Sequence, residues 1–189
     1  MPFAGIKIIR GERVLLSSAQ REDFGKIIEW LRNKEITHLN GGFLGNYLPG
    51  NEFRESEWFE KTLRSNEHAA FMILVPENMH VIGRAGIFNI NGRDRNADLA
   101  AEIVEREFLG KGLGTEVFEL LTDYAFNQLN LFRLNSSVIS SFQPSQKILK
   151  RLGFEEEGIR RQVHFIEGRY HDEIIYGLLR SDWEMKKRK

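Results

Sequence analysis

The stretch Glu107-Phe108-Leu109-Gly110-Lys111-Gly112-Leu113-Gly114-Thr115-Glu116 concentrates the residue types that hold phosphate. Glycine at 110, 112 and 114 leaves main-chain N–H groups free to approach phosphate oxygens closely, and a helix starting there adds about half a positive charge. Lys111 and Thr115 offer further donors, so a diphosphate is the ligand this turn suits. A dinucleotide site would need G-x-G-x-x-G in a parallel βαβ unit, and a triphosphate loop would need G-K-[ST]; neither pattern is present. Two acids, Asp98 and Glu102, precede the turn on one strand and share a face by the period-two rule. Toward the end of the chain His164 and His171 flank Glu167-Gly168, and a turn there sets the two imidazoles opposite each other, competent to exchange protons near pH 7. The chain has no cysteine, which removes thiolate nucleophiles, disulfides and the common zinc clusters. The three other histidines are scattered, and no metal site is expected.

These residues need elements to carry them. Arg13 to Ser17 reads as a short strand. Phe24, Ile27, Ile28 and Leu31 then recur at i, i+3, i+4 and i+7, the stripe of a helix with Ser18 as its N-cap. Leu39 to Asn51, rich in glycine, is a loop bearing Phe43, Leu44, Tyr47 and Leu48. A helix from about Phe53 to Arg64 brings Trp58, Phe59 and Leu63 to one side. Strands at Ala69 to Val75, Val81 to Phe88 and Ala97 to Val104 form an antiparallel meander, joined through Pro76-Glu77-Asn78 and Asn91-Gly92-Arg93-Asp94. The most amphipathic helix runs from Gly112 to about Leu129. A strand at Arg133 to Ile139, a helix at Ser145 to Leu152 stopped by Gly153, and a hairpin of Ile159 to Ile166 with Arg169 to Leu179 close the chain. No repeat, low-complexity tract or linker divides it. A single mixed α/β domain over 1–189 is expected, with its core at 7–182 and a basic, solvated tail at 183–189.

The 189 residues carry 27 basic and 27 acidic side chains, so no net field holds the chain on nucleic acid or an anionic membrane. The N-terminus lacks a signal-peptide core and no apolar run approaches the roughly 20 residues that span a bilayer. A cytoplasmic location is expected.

Taken in order, E-R-V-L-L near the start, V-I-G-R-A-G-I-F at 81–88, A-D-L-A at 97–100, F-L-G-K-G-L-G-T-E at 108–116, L-K-R-L-G-F at 149–154 and the closing G-R-Y-H-D-E with a trailing D-W resemble the GCN5-related N-acetyltransferases. Within them the likeness is to the Rim-type branch, which acetylates ribosomal-protein alanines, polyamines and amino sugars. The resemblance implies a central, mostly antiparallel twisted sheet of six to seven strands with about four flanking helices, its strands splayed at the CoA site. It implies that Leu109, Gly110, Lys111, Gly112, Leu113, Gly114 and Thr115 wrap the CoA pyrophosphate and that the strand at Ile103 and Val104 pairs with the pantetheine arm, as an edge strand pairs with a peptide. A main-chain N–H near Val104 would polarise the thioester carbonyl. Phe142-Gln143-Pro144-Ser145 stands where many relatives carry an asparagine facing pantetheine, which places Gln143 beside the cofactor. Leu149 stands where several carry the tyrosine that protonates the leaving thiolate.

The activity implied is acetyl transfer from acetyl-CoA to a primary amine in a ternary complex, the amine being a protein N-terminus or, alternatively, an amino sugar or polyamine; a non-catalytic acyl-CoA-binding domain is the rival reading. Three groups are candidates for the base: Asp98, where the family's A-E-L-G has its acid; Glu102; and His164, where some relatives place a catalytic Glu. Ser145 is a candidate proton relay to the thiolate. Trp30, Phe43, Tyr47 and Trp58 are candidates to shape the amine pocket, and Asp172, matching an acid in the closing motif, to orient His171 or bind substrate. Acetyl-CoA and the amine are the partners expected, with a homodimer left open.

Overall fold

The computed structural model describes residues 7–33, 52–166 and 168–188, with residues 52–55 described by their backbone alone. In chain order the elements are β1 (Ile8–Arg10), β2 (Leu15–Ser18), α1 (Phe24–Arg32), α2 (Glu52–Arg64), β3 (Ala69–Val75), β4 (His80–Asn91), β5 (Asn96–Ile103), α3 (Leu113–Asp123), β6 (Arg133–Ile139), α4 (Gln143–Leu152), β7 (Glu155–Ile166), β8 (Arg169–Leu179) and α5 (Arg180–Lys187). Helix α3 runs on into a π-helical turn at Tyr124–Gln128.

One sheet collects the eight strands in the order β1-β2-β3-β4-β5-β6-β8-β7. Every neighbouring pair is antiparallel except β5 and β6. The mostly antiparallel sheet is as expected. It has eight strands because Ile8–Arg10 adds an edge to β2, a segment too short to show a period in the sequence.

Strand alternation sorts the side chains into two layers. Phe71, Ile73, Val75, Leu134, Val138, Ile174 and Tyr176 join Val117 and Leu121 of α3, Leu149 of α4 and Trp183 of α5 in the larger core. Leu15, Met72 and Leu74 turn the other way and pack with Ile27 and Trp30 of α1 and Phe59 of α2. Helix α1 starts where the Gln20 N–H donates to Asp23 Oδ2 at 2.7 Å. Ser18, expected to cap it, is instead a β2 residue whose Oγ accepts the Lys7 N–H at 2.9 Å. Gly153 does stop α4, in the left-handed region at φ 98°, where a Cβ would be strained.

The segment read as a solvated tail is largely α5. Trp183 is 9 % exposed and its ring lies 5.1 Å from that of Phe126; Lys187 Nζ reaches Asp123 Oδ1 at 2.7 Å. The apolar body of one tryptophan pulls a basic helix onto the core, while the lysines keep their charges at the rim.

The parallel seam between β5 and β6 positions the site. Only Asn96, Ala97 and Asp98 pair with Arg133, Leu134 and Asn135. Beyond them β5 continues to Ile103 and β6 to Ile139 without main-chain pairing, so the sheet splits into a V, bridged at its throat by Ser136 Oγ donating to the Leu99 carbonyl at 3.1 Å.

Candidate active site

Each arm of the V is held from outside. On β5 the register sets Ile103 against Gly83 and Glu102 against Arg84, and the Val104 N–H donates to the Ile82 carbonyl at 2.9 Å. Antiparallel pairs alternate between bonded and non-bonded, so Val104, Glu102 and Ala100 turn their main-chain groups to β4, while Leu99, Ala101 and Ile103 turn theirs to the V. The Leu99 carbonyl, bonded to Ser136 across the gap, confirms that phase. The amide expected to polarise a carbonyl near Val104 is therefore that of Ile103, because the Val104 N–H already has an acceptor. Gly83 makes the close approach of the two strands possible: a Cβ there would lie 2.1 Å from the Glu102 carbonyl oxygen.

The glycine turn follows at once, through a single 3-10 turn at Arg106–Phe108. Gly110 and Gly112 have φ of 72° and 81°, left-handed values that disfavour any side chain. Gly114 is glycine for another reason: a Cβ there would meet Ile148 Cδ1 of α4 at 3.2 Å, so it lets the two helices close up. The N–H groups of Gly110, Lys111, Gly112, Leu113 and Gly114 have no main-chain acceptor among the described residues. The Thr115 N–H turns back to the Gly112 carbonyl at 3.1 Å, which leaves its hydroxyl as the group free to reach a ligand. Leu109 and Lys111 lie exposed at the turn. A run of donors at a helix N-terminus beside an unpaired strand edge fits a ligand with a diphosphate at one end and amides at the other.

Of the candidate bases, Glu102 lies on the β5 arm of the V, past the seam. Its carboxylate forms an ion pair with Arg84, and the two side chains are 13 % and 24 % exposed. Burial pushes the Glu102 carboxyl above its ordinary range, against the opposing pull of the Arg84 guanidinium. A carboxylate raised in this way is better matched to accept a proton near neutral pH. Asp98 sits at the throat with both oxygens engaged, Oδ2 by Asn89 Nδ2 at 2.7 Å and Oδ1 by Asn135 Nδ2 at 3.1 Å. It fastens β4, β5 and β6 together. On an extended strand it lies about 13 Å from Glu102, four residues away.

His164 does lie across from His171, and its Nε2 is 3.3 Å from Glu173 Oε1. Glu173, on β8 and 7 % exposed, also accepts Ser137 Oγ at 2.8 Å and Arg160 Nη1 at 3.1 Å. Burial works to raise the Glu173 carboxyl, but the hydrogen bonds from Ser137 and His164 and the charges of His164 and Arg160 outweigh it and hold it below the ordinary range. Asp172, a candidate to orient His171 or bind substrate, accepts the Gln162 N–H at 2.8 Å through Oδ1, a bond that ties the hairpin. Ser145 is half-buried in the first turn of α4, whose N-cap is Phe142. Gln143 is exposed there, with Nε2 3.4 Å from the Ser140 carbonyl. Leu149 is 1 % exposed in the core and carries no proton to give.

Of the four aromatic residues expected to line the amine pocket, Trp30 and Trp58 are described and stand in different surroundings. Trp30 is 3 % exposed, within the core under α1, and Trp58 is 53 % exposed on α2; Phe43 and Tyr47 lie outside the described residues. Sequence reasoning missed Arg13, Arg84, Ser137 and Glu173. Among the described residues no group of three or more metal-ligating side chains forms a site, and no helix there is long and apolar enough to cross a membrane.

The model of the acetyltransferase (GNAT) domain matches residues 13–155, and the chain belongs to that family. It is similar to an uncharacterized N-acetyltransferase, p20, of Bacillus licheniformis, at 28 % identity over 91 % of this chain and 96 % of that one. Over 49 % of each chain it is 35 % identical to spermidine N(1)-acetyltransferase of Escherichia coli. Its fold superposes on spermidine N-acetyltransferase from Vibrio cholerae, solved in complex with CoA and spermine, with a TM-score of 0.79 and 25 % identity over 92 % of this chain and 99 % of that one. The protein is an acetyltransferase of the family that uses acetyl-CoA.

Proposed function

We propose that the protein transfers the acetyl group of acetyl-CoA directly to a primary amine of an aliphatic polyamine, both substrates being bound at once. The observation that carries this reading is the V between β5 and β6, with the unpaired main-chain donors of the glycine turn at one end and Glu102 on its β5 arm. The diphosphate would sit on the amides of residues 110–114, and the pantetheine amides would complete the free edge of β5 at Ala101 and Ile103. Leu109, Lys111, Leu113 and Thr115 border the diphosphate, and Gln143 and Ser145 stand at the facing start of α4.

The amine must lose a proton before it can attack. For an alkylamine of pKa about 10.4, deprotonation at pH 7 costs roughly 4–5 kcal/mol, and Glu102 is the acceptor assigned here, directly or through one water. The nitrogen lone pair attacks the thioester carbon, the Ile103 N–H steadies the developing oxyanion, and collapse breaks the C–S bond. The acylated nitrogen releases its second proton to solvent as the departing thiolate takes one up, and Glu102 later gives its proton to solvent, leaving the N-acetyl amine and CoA. The polyamine assignment draws its support from the spermidine and spermine named for two of the similar proteins and from a base suited to a strongly basic amine.

Free-thiol release and product mass, measured with acetyl-CoA against spermidine, spermine, amino sugars and peptides with a free N-terminus, test it. Spermidine and spermine should be turned over with a kcat/KM at least about tenfold above the other classes. Preference for the peptides would overturn the acceptor assignment and keep the chemistry. Stabilisation by CoA with no thiol release on any amine would mark a binding module without catalysis.

A further inference from the structure

Arg13 enters the site from the far end of the sequence. Its Nη1 donates to the Lys111 carbonyl at 2.8 Å and its Nη2 to the Gly112 carbonyl at 3.4 Å, the two peptide units at the centre of the glycine turn. We propose that Arg13 is a positioning residue for acetyl-CoA, one that aims the main-chain donors of the turn at the diphosphate. The proposal rests on the reading of that turn as the coenzyme's diphosphate site.

In a trans peptide the C=O and the following N–H point in opposite directions. A guanidinium that holds the Lys111 carbonyl on its own side therefore sends the Gly112 N–H to the other, while the Gly112 carbonyl, already accepting the Thr115 and Glu116 N–H groups at 3.1 and 3.3 Å, takes Nη2 as a third, longer contact. The fork supplies both bonds from a single planar group. Every acceptor drawn to Arg13 is one fewer facing an anion, and the Lys111 carbonyl is the one it removes.

Arg13 is itself locked. Its Nε donates to Glu116 Oε2 at 3.0 Å, while Glu116 Oε1 accepts the Arg13 N–H at 2.8 Å and the Val14 N–H at 3.3 Å. Glu116 lies in the first turn of α3 with its side chain 11 % exposed, where an unpaired carboxylate would repel a diphosphate; Arg13 cancels that charge. The position of a Gly112 Cβ, 3.4 Å from Nη2, shows how closely the guanidinium backs the turn.

The test compares wild type, Arg13→Lys and Arg13→Gln with acetyl-CoA and with S-acetylpantetheine, which lacks the diphosphate and nucleotide, alongside the Kd of CoA by calorimetry. Arg13→Gln should raise the KM for acetyl-CoA and the Kd of CoA by about 10- to 100-fold, the range of a lost charge-assisted hydrogen bond, with kcat within about threefold. Its kcat/KM for S-acetylpantetheine should stay within about threefold of wild type. Arg13→Lys, one point charge in place of a fork, should raise the KM for acetyl-CoA about tenfold, and it carries the test if the Gln variant does not fold. Equal losses with both donors would reduce Arg13 to a general structural role, and unchanged affinity for CoA would remove it from the site. Wild type that fails to prefer acetyl-CoA over S-acetylpantetheine would instead overturn the diphosphate reading of the turn.

Discussion

Replacing Gly83 by alanine asks whether the spacing of β4 and β5 sets the catalytic geometry. An added Cβ would lie 2.1 Å from the Glu102 carbonyl oxygen and 3.0 Å from Ile103 Cα, both main-chain atoms that no rotamer change can move. Relief requires the strand carrying Glu102 and the Ile103 amide to shift by about 1 Å, and a displacement of that size in a reacting group costs on the order of 100-fold in rate. Overpacking of this kind also costs about 1–3 kcal/mol, or roughly 2–12 °C in Tm for a chain of this length. Thiol release at saturating acetyl-CoA and a thermal melt read the two effects. Gly92→Ala is the control, since a Cβ there would meet nothing within 4 Å, and it should change neither. A Gly83→Ala enzyme with full kcat would show that the β4–β5 spacing does not govern the reaction centre.

Glu102→Gln should lower turnover on spermidine by about 100-fold or more, whereas Asp98→Asn and His164→Gln stay within about tenfold; equal activity in all three would mean that the amine arrives deprotonated. Because burial raises the Glu102 carboxyl, the native state favours its protonated form, and the associated stability is complete below the ordinary carboxylate pKa and is lost as pH rises through the folded value. The Gln variant should therefore melt no lower than wild type at pH 7. Glu173 runs in the opposite sense: its lowered carboxyl stabilises the fold above the ordinary range and stops doing so as pH falls through the folded value. Glu173→Gln should lose about 1 kcal/mol at pH 7, with the gap in Tm from wild type closing in acid; a gap that stays constant would contradict this assignment of charge. Gly112→Ala, at φ 81°, should cost about 1–2 kcal/mol and weaken CoA binding measured by calorimetry, and retained affinity would argue against a ligand on that turn.

The glycine turn, the helix after it and the meander before it are legible in the sequence because each has a local signature, a period or a breaker. The pairing of Arg84 with Glu102 is not. Counting back from Asn91 opposite Asn96 sets Ala85 against Glu102, and only the irregularity between Phe88 and Asn91 moves Arg84 into that place, with Asn89 at φ 52°. A second irregularity between Arg160 and His164, with Gln162 at φ 54°, likewise brings Arg160 to Glu173. A bulge shifts register by a residue or two without changing composition, so the partners of two buried acids could not be counted from the turns. Arg13 escaped for a different reason: its carbonyl partners lie 98 and 99 residues away. Trp30, a pocket candidate by residue type, is 3 % exposed in the core, and a tryptophan on a helix carries no local sign of whether it packs on a sheet or lines a pocket.

The three-residue parallel seam at Asp98 and Asn135 has a consequence for the resting protein. Past it, two extended segments run side by side with their hydrogen-bonding edges unmatched, the arrangement that invites any stray extended peptide to slot in. A coenzyme whose arm imitates a strand would fill that vacancy and shut the edge against intruders.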